Sequence, residues 1–314
     1  MVRRRRCAAA FRLAILGLTS HAAIASAADD LKLQKLADGV FVHVGAQAEA
    51  SAENRGDIAN IGFIVGEKCV AVIDTGGTLM VGRALRAAIV RTTPKPICYV
   101  INTHVHPDHV FGNAAFERAD TQFVGHKHLP AALAARSDSF QKTLSRELGD
   151  IADGSRLIAP TTLVESDLDL DLGGRNLSLH AWNTAHTDND LSVFDSMTGT
   201  LWTGDLLFVD RIPVIDGSLL GWLKALAALR AGPPPRHIVP GHGPIDPPWP
   251  AALAAEMRYL ETVATDVRAA LKAGRTLAQT VETVGLSERS HWLLFDDYNR
   301  RNATAAYTEL EWED

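Results

Sequence analysis

Cysteine is scarce in this chain, with three thiols in 314 residues, Cys7, Cys69 and Cys98, and none stands in a cluster of metal-ligand residue types. Cys69 and Cys98 each open an apolar, strand-like run. We read them as two buried free thiols in preference to a disulfide, which would require those strands to be neighbours in an oxidising compartment. No apolar run is long enough to span a bilayer, and no internal repeat or low-complexity stretch breaks the chain. An excess of basic residues is missing too. The formal net charge is −6, which argues against nucleic acid as a partner.

Residues 1–27 read as an export signal. Arg3 to Arg6 and Arg12 make a basic start, Leu13 to Leu18 a short apolar stretch, and Ala25-Ser26-Ala27 a small-residue cleavage site. Its removal takes away five arginines and no acid, so the formal charge falls from −6 to −11. A periplasmic domain of residues 28–314 is expected, large enough for one substantial core.

Along that domain short apolar strands alternate with amphipathic helices. Val40 to Val44, Gly62 to Val65, Val70 to Ile73 and Ile97 to Asn102 read as strands, with a helix over Val81 to Val90 making a βαβ unit and a parallel pair. Ala46 to Asn60 is polar and aperiodic, a mobile loop able to cover a site. Leu177 to Trp182 reads as a strand, and Leu191 to Phe194 with Thr200 to Thr203 as a hairpin about Ser196-Met197-Thr198-Gly199. A helix over Gly221 to Leu229 and a strand His237 to Val239 follow. Helices over Trp249 to Leu271, Leu277 to Thr283 and Leu293 to Leu310 close the chain. Asp167, Asp169 and Asp171 alternate with leucine, as on one solvated strand face.

The chemistry lies at strand ends. His104, His106, Asp108 and His109 occupy seven residues after the strand Ile97 to Asn102, and Pro107 suits the first turn of the helix that follows. His186, Asp205 and His242 come later, each beside glycine or threonine. A lone His-x-His arises by chance among 12 histidines; the full His-x-His-x-Asp-His is far more specific. Five imidazoles and two carboxylates without a thiolate suit two zinc ions with positions open for water, a hydrolase pattern. Asp74, ending the strand before, could accept a ring N–H from a ligating histidine and fix its tautomer. Arg211 could pair with a substrate carboxylate, although a structural ion pair with Asp210, Asp216 or another acid is the favoured reading. His126 and His128 are taken as hydrogen-bonded rather than pocket-lining. His43, His180, His237 and His291 are taken as structural, and Trp182 and Trp222 as core.

In the order Asp74, His-x-His-x-Asp-His, His186, Asp205, His242, the chain resembles the metallo-β-lactamase superfamily. Asn60-Ile-Gly-Phe-Ile-Val-Gly, Thr203-Gly-Asp-Leu-Leu-Phe and the ending from His291-Trp-Leu-Leu-Phe to Glu311-Trp-Glu are similar to the exported quinoprotein relay system zinc metallohydrolases. The resemblance implies an α/β fold, an αββα sandwich with the site at one edge. It gives His104, His106 and His186 to one zinc, Asp108, His109 and His242 to a second, and Asp205 between them. It further implies a small-molecule ester, thioester, lactone or amide as substrate, cleaved by a hydroxide shared between the ions, and a functional link to quinoprotein dehydrogenases. Lactam-cleaving members generally carry cysteine or serine at the position of Asp205, and some a lysine where this chain has Phe208. A β-lactamase, or a redox enzyme of the same fold with iron in place of zinc, is the alternative.

Overall fold

Every residue of the strand Val70–Ile73 is buried, so both faces of the sheet that holds it are covered. The computed structural model describes residues 31–313; the expected export signal over residues 1–27, with Cys7, lies outside the described residues. The first half runs β1 (Gln34–Ala37), β2 (Val40–His43), β3 (Ile61–Val65), β4 (Val70–Ile73), α1 (Leu79–Thr92), β5 (Ile97–Ile101), α2 (Pro107–Val110), β6 (Gln122–His126), α3 (Leu129–Leu148) and β7 (Thr162–Val164). The second runs β8 (Asp167–Asp171), β9 (Asn176–Ala181), β10 (Leu191–Asp195), β11 (Thr200–Phe208), α4 (Leu219–Ala231), β12 (His237–His242), α5 (Ala251–Lys272), α6 (Leu277–Thr280) and α7 (Phe295–Leu310). β1 to β7 form one sheet in sequence order, and the other is ordered β12-β11-β10-β9-β8.

The period-two alternation of the strands sorts side chains into layers. Ile64, Ala71, Ile73, Ile101 and Val124 of the first sheet meet Leu177, Leu179, Val193, Trp202 and Val239 of the second. On the other face of the first sheet, Phe63, Val70, Val72 and Val100 pack against Val81, Leu85 and Ile89 of α1. Leu206 and Ile238 of the second sheet are covered by Trp222 and Leu226 of α4, Tyr259, Leu260 and Val263 of α5, and Ala303 and Ala306 of α7. Each fully buried Val, Leu, Ile or Phe among them contributes about 1.5–3 kcal/mol. The order of layers is αββα, as expected.

β4 and β5 are a parallel pair joined through α1, as the βαβ reading required. α1 starts at Thr78, whose hydroxyl accepts from the Val81 amide at 3.2 Å. The β10–β11 hairpin turns at Gly199, which has φ +71° and an amide donating to the Asp195 carbonyl at 2.9 Å. Three boundaries differ from expectation by three residues or more: β11 continues through Asp205 to Phe208, β12 runs on to His242, and α6 stops at Thr280. The continuations follow from parallel pairing of β11 with β12, which reaches Phe208 opposite His242 despite shifts in register.

The cysteines require a correction. Cys69 and Cys98 form a disulfide, with Cα atoms 5.8 Å apart. Val70 pairs with Ile97 and Ala71 with Tyr99, so Cys98 is the extra residue at a register shift, beside the residue that precedes β4. That adjacency belongs to strand pairing and is invisible in the two runs taken singly.

Candidate metal centre

The directions of the strands bring the key residues to one edge. β4 and β5 are parallel, so Asp74 and the run His104 to His109 leave the first sheet on the same side. β9 pairs antiparallel with β10, and β10 with β11, while β11 and β12 are parallel. β9, β11 and β12 therefore point the same way, and deliver His186, Asp205 and His242 to a shared carboxyl-terminal edge, where ligand sites of α/β folds gather. Two stitches join the sheets there. The Leu191 amide donates to the Thr103 carbonyl at 2.8 Å, and the Asn60 amide group donates to the Pro240 and Gly243 carbonyls, both at 2.9 Å, holding the turn after His242.

All seven expected ligands meet. His104, His106, His186 and Asp205 form one group with ligand atoms within 4.8 Å of one another, and Asp108, His109 and His242 a second. Asp205 reaches both: Oδ2 lies 3.5 Å from His104 Nε2, 3.4 Å from His186 Nε2 and 3.3 Å from His242 Nε2, and Oδ1 lies 3.1 Å from His109 Nε2. Gly241 makes that approach feasible, because a Cβ there would overlap Asp205 Oδ1.

Whether these residues suit a cation can be tested from their outward hydrogen bonds. His109 Nδ1 donates to Asp74 Oδ2 at 2.8 Å, His106 Nε2 to Asp216 Oδ2 at 3.0 Å, His186 Nδ1 to the Val214 carbonyl at 2.7 Å and His242 Nδ1 to the Ile58 carbonyl at 2.8 Å. Thr103 spends its hydroxyl proton on Asp74 Oδ2 at 2.7 Å, so it accepts from His104 Nδ1 at 3.0 Å. Each ring thus commits its N–H to an oxygen behind it and turns a lone pair inward. Those lone pairs crowd one another: His106 Nδ1 is 3.1 Å from His104 Nε2 and 3.0 Å from His186 Nε2. His109 Nε2 and Asp205 Oδ1 are buried without a hydrogen-bond partner. Acceptors facing acceptors in a buried site are satisfied only by a positive charge between them, and the donor set fits metal cations.

The electrostatics divide these rings into two kinds, two held neutral and two drawn toward a second proton by the carboxylates they face. Burial drives His104 well below the ordinary imidazole range and His186 down to about 3, so both stay neutral, as metal ligation requires. Burial also opposes charge on His109 and His242, but Asp205 and the neighbouring carboxylates outweigh it and raise both. Burial likewise resists ionisation of Asp108 and Asp205, yet the imidazoles of His109 and His242 hold both carboxyls below their usual range. Asp74 accepts a ring N–H from His109, and also the Thr103 amide at 2.8 Å.

A cleft of about 530 Å³ opens over the centre, reached by His106, Asp108, His186, Asp205 and His242. Glu49, Ala50, Gly56 and Ile58 of the segment between β2 and β3 line it. That segment covers the site as expected but is pinned, by the Ala46 amide on the Asp57 carbonyl at 2.9 Å and by His43 on Asp57 at 2.8 Å. Arg211 also lines the cleft, buried, with Nη1 donating to the Ala48 carbonyl at 3.2 Å and Nη2 3.6 Å from Glu49 Oε1. Its acid is Glu49, neither Asp210 nor Asp216, and it ties the covering segment down. His126 and His128 do not line this cleft. His126 Nδ1 accepts from the His128 amide at 3.0 Å, and His128 Nδ1 is 3.1 Å from the Asp188 carbonyl.

Residues 54–242, which hold all seven clustered side chains, match the model of the metallo-beta-lactamase superfamily. The chain belongs to this superfamily. A metallo-beta-lactamase from Pontibacter korlensis superposes at a TM-score of 0.60 with 19% identity, over 74% of this chain and 99% of its own. One from Hirschia baltica gives 0.56 and 18%, over 74% and 97%. A double mutant of the sec-alkyl sulfatase PisA1 gives 0.67 and 17%, over 88% of this chain and 49% of its own. At such low identities the superpositions show a shared fold and nothing further. No curated protein sequence matches the chain.

Sequence reasoning named Asp216 only as a partner for Arg211, whereas it holds His106. It passed over Arg136, Arg301 and Tyr298, all on the cleft. The one available signal was that on α3 Arg136 shares a row with Leu144 and Leu148, which are buried; nothing comparable marks Arg301 on α7.

Proposed function

We propose that this chain is an exported hydrolase that holds two zinc ions and cleaves a small-molecule carbonyl compound, an ester, thioester, lactone or amide. The observation that carries the reading is the set of five imidazoles, each tethered outward through one nitrogen and turning the other toward the two groups that Asp205 and Asp108 complete. His104, His106 and His186 are the donors to one ion, Asp108, His109 and His242 to the other, and Asp205 stands between. When bound, such a pair acidifies water toward neutral pH, polarises a carbonyl and steadies the departing anion. The chain supplies the rest. Asp74, Asp216 and the Val214 and Ile58 carbonyls fix ring orientation, and Phe208, stacked on His242 at 5.0 Å, keeps water from that ring. Asp108 alone among the carboxylates of the two groups is partly exposed on the cleft, with 16% of its side chain accessible; held ionised, it would accept a proton on the substrate side and relay it toward a leaving group.

Export is supported by the basic, then apolar, then small-residue pattern of residues 1–27, and by the Cys69–Cys98 disulfide, a bond of oxidising compartments. A functional link to quinoprotein dehydrogenases is part of this proposal and rests only on the resemblance of Asn60-Ile-Gly-Phe-Ile-Val-Gly, Thr203-Gly-Asp-Leu-Leu-Phe and the ending from His291 to the quinoprotein relay metallohydrolases.

The test is metal analysis of protein exported in its native host, with a panel of esters, thioesters, lactones, lactams and a secondary alkyl sulfate. Two zinc ions per chain and zinc-dependent carbonyl hydrolysis are expected. A majority of iron with oxygen consumption would give the redox alternative, and rapid opening of a chromogenic cephalosporin the lactamase one.

A further inference from the structure

Beside the metal centre the cleft carries charges that do not balance. Asp216 accepts from His106 Nε2 at 3.0 Å and from Arg301 Nη2 at 3.1 Å, and Arg136 Nη2 stands 3.7 Å from its Oδ2. The imidazole donates without adding charge, so two guanidiniums share a single carboxylate. Among the described residues neither arginine has another acid in ion-pair range, and their side chains keep 31% and 53% of their surface accessible. Both line the cleft. Arg211 cannot serve the same end, because Glu49 and the Ala48 carbonyl already engage it.

The wall that leads away from this corner is of the opposite character. Arg136, Phe140, Leu144 and Leu148 follow one another at intervals of four on α3, and such residues form a single row along a helix. All four line the cleft, Leu144 and Leu148 with little of their surface exposed, and Ser139, Thr143 and Glu147 of the same helix line it beside them. A molecule lying along it therefore meets an unsatisfied positive charge at the Asp216 end, the metal centre beneath, and an apolar strip beyond.

We propose that the substrate carries, besides its scissile carbonyl, an oxyanion of the carboxylate class that seats between Arg136 and Arg301, with an apolar portion along Phe140, Leu144 and Leu148. This rests on the hydrolase reading above. The competing account of the two arginines is that they only brace Asp216 and, through it, His106. Bracing acts on every substrate alike, whereas anion recognition separates charged from neutral substrates. A guanidinium suits a carboxylate in a way a simple point charge does not, through paired, charge-assisted bonds.

The test uses mono-4-nitrophenyl adipate and its methyl ester, two substrates that differ in one charge, with the zinc-loaded full chain. The wild type is expected to prefer the acid through KM by about tenfold or more. In Arg136→Ala and Arg301→Ala that preference falls, because KM rises far more for the acid than for the methyl ester; Arg301→Lys restores part of it. Equal losses on both esters, or no preference in the wild type, would overturn the inference while leaving the hydrolase reading intact. If neither ester turns over, calorimetric titration of adipate and monomethyl adipate into zinc-loaded and chelator-treated protein decides. Adipate binding that weakens about tenfold in the arginine variants supports the anion site, and binding that is unchanged overturns it.

Discussion

Asp74 holds together more of the centre than a residue outside the ligand set would suggest. It is buried at 1% exposure, has φ +53°, and accepts from the Thr103 amide, the Thr103 hydroxyl and His109. Removing it strands three donors, so Asp74→Ala is expected to lower stability by about 3 kcal/mol and metal affinity by about 10- to 100-fold, measured by denaturation and zinc titration. Asp216 is the contrasting case. Its side chain is 24% exposed, so Asp216→Ala should weaken zinc binding by a similar factor with little change in folding stability. Asp108→Ala and His106→Ala should each abolish turnover of any substrate found while the fold, followed by circular dichroism, survives; unchanged turnover in both refutes the assignment of the site.

Two elements have consequences that solution measurements can reach. The Cys69–Cys98 bond closes a span of 29 residues around the βαβ unit, and in the chain-entropy account such a loop is worth about 3–4 kcal/mol. Cys69→Ser with Cys98→Ser, or reduction of the wild type, should lower the unfolding free energy by the same amount, read as a lower midpoint at unchanged slope in a denaturant titration. The segment between β2 and β3 is fixed by His43, whose imidazole is raised: burial opposes its charge, but Asp57 and the Lys32 carbonyl outweigh that. A raised folded value means the stabilisation is complete below about pH 6.5 and is lost as pH rises through the folded value. Wild type and His43→Gln should therefore differ by up to about 1 kcal/mol in acid and converge at alkaline pH, in urea unfolding followed across pH.

What the sequence reveals at this scale is whatever is local. The run His104 to His109 declares itself because four ligands and Pro107 sit within one strand-to-helix turn, and β4, α1 and β5 because periodicity marks each of them. The disulfide escapes notice because it depends on a register shift between strands that are 29 residues apart in the chain.

Across the whole molecule, the four layers set parallel strand ends at one edge, and this is why residues scattered from Asp74 to His242 converge. Their order was readable from the family resemblance, and the αββα layering with it. Asp216 as the anchor of His106, and Arg136 and Arg301 beside it, were not readable, since they come from a loop, α3 and α7 that only tertiary packing brings together. The centre couples to global stability because its inward-facing acceptors need a cation. Chelation should lower the melting temperature, and restored zinc should raise it in a concentration-dependent manner; a melting curve indifferent to both would separate the cluster from metal.

The most direct measurement is the number of zinc ions bound per chain, determined by native mass spectrometry on the wild type and on His242→Ala and His186→Ala. Two ions in the wild type, and fewer in each variant with the protein still folded, is the result expected. A wild type that takes up no ion under saturating zinc, or variants that bind as many as it does, would contradict the account.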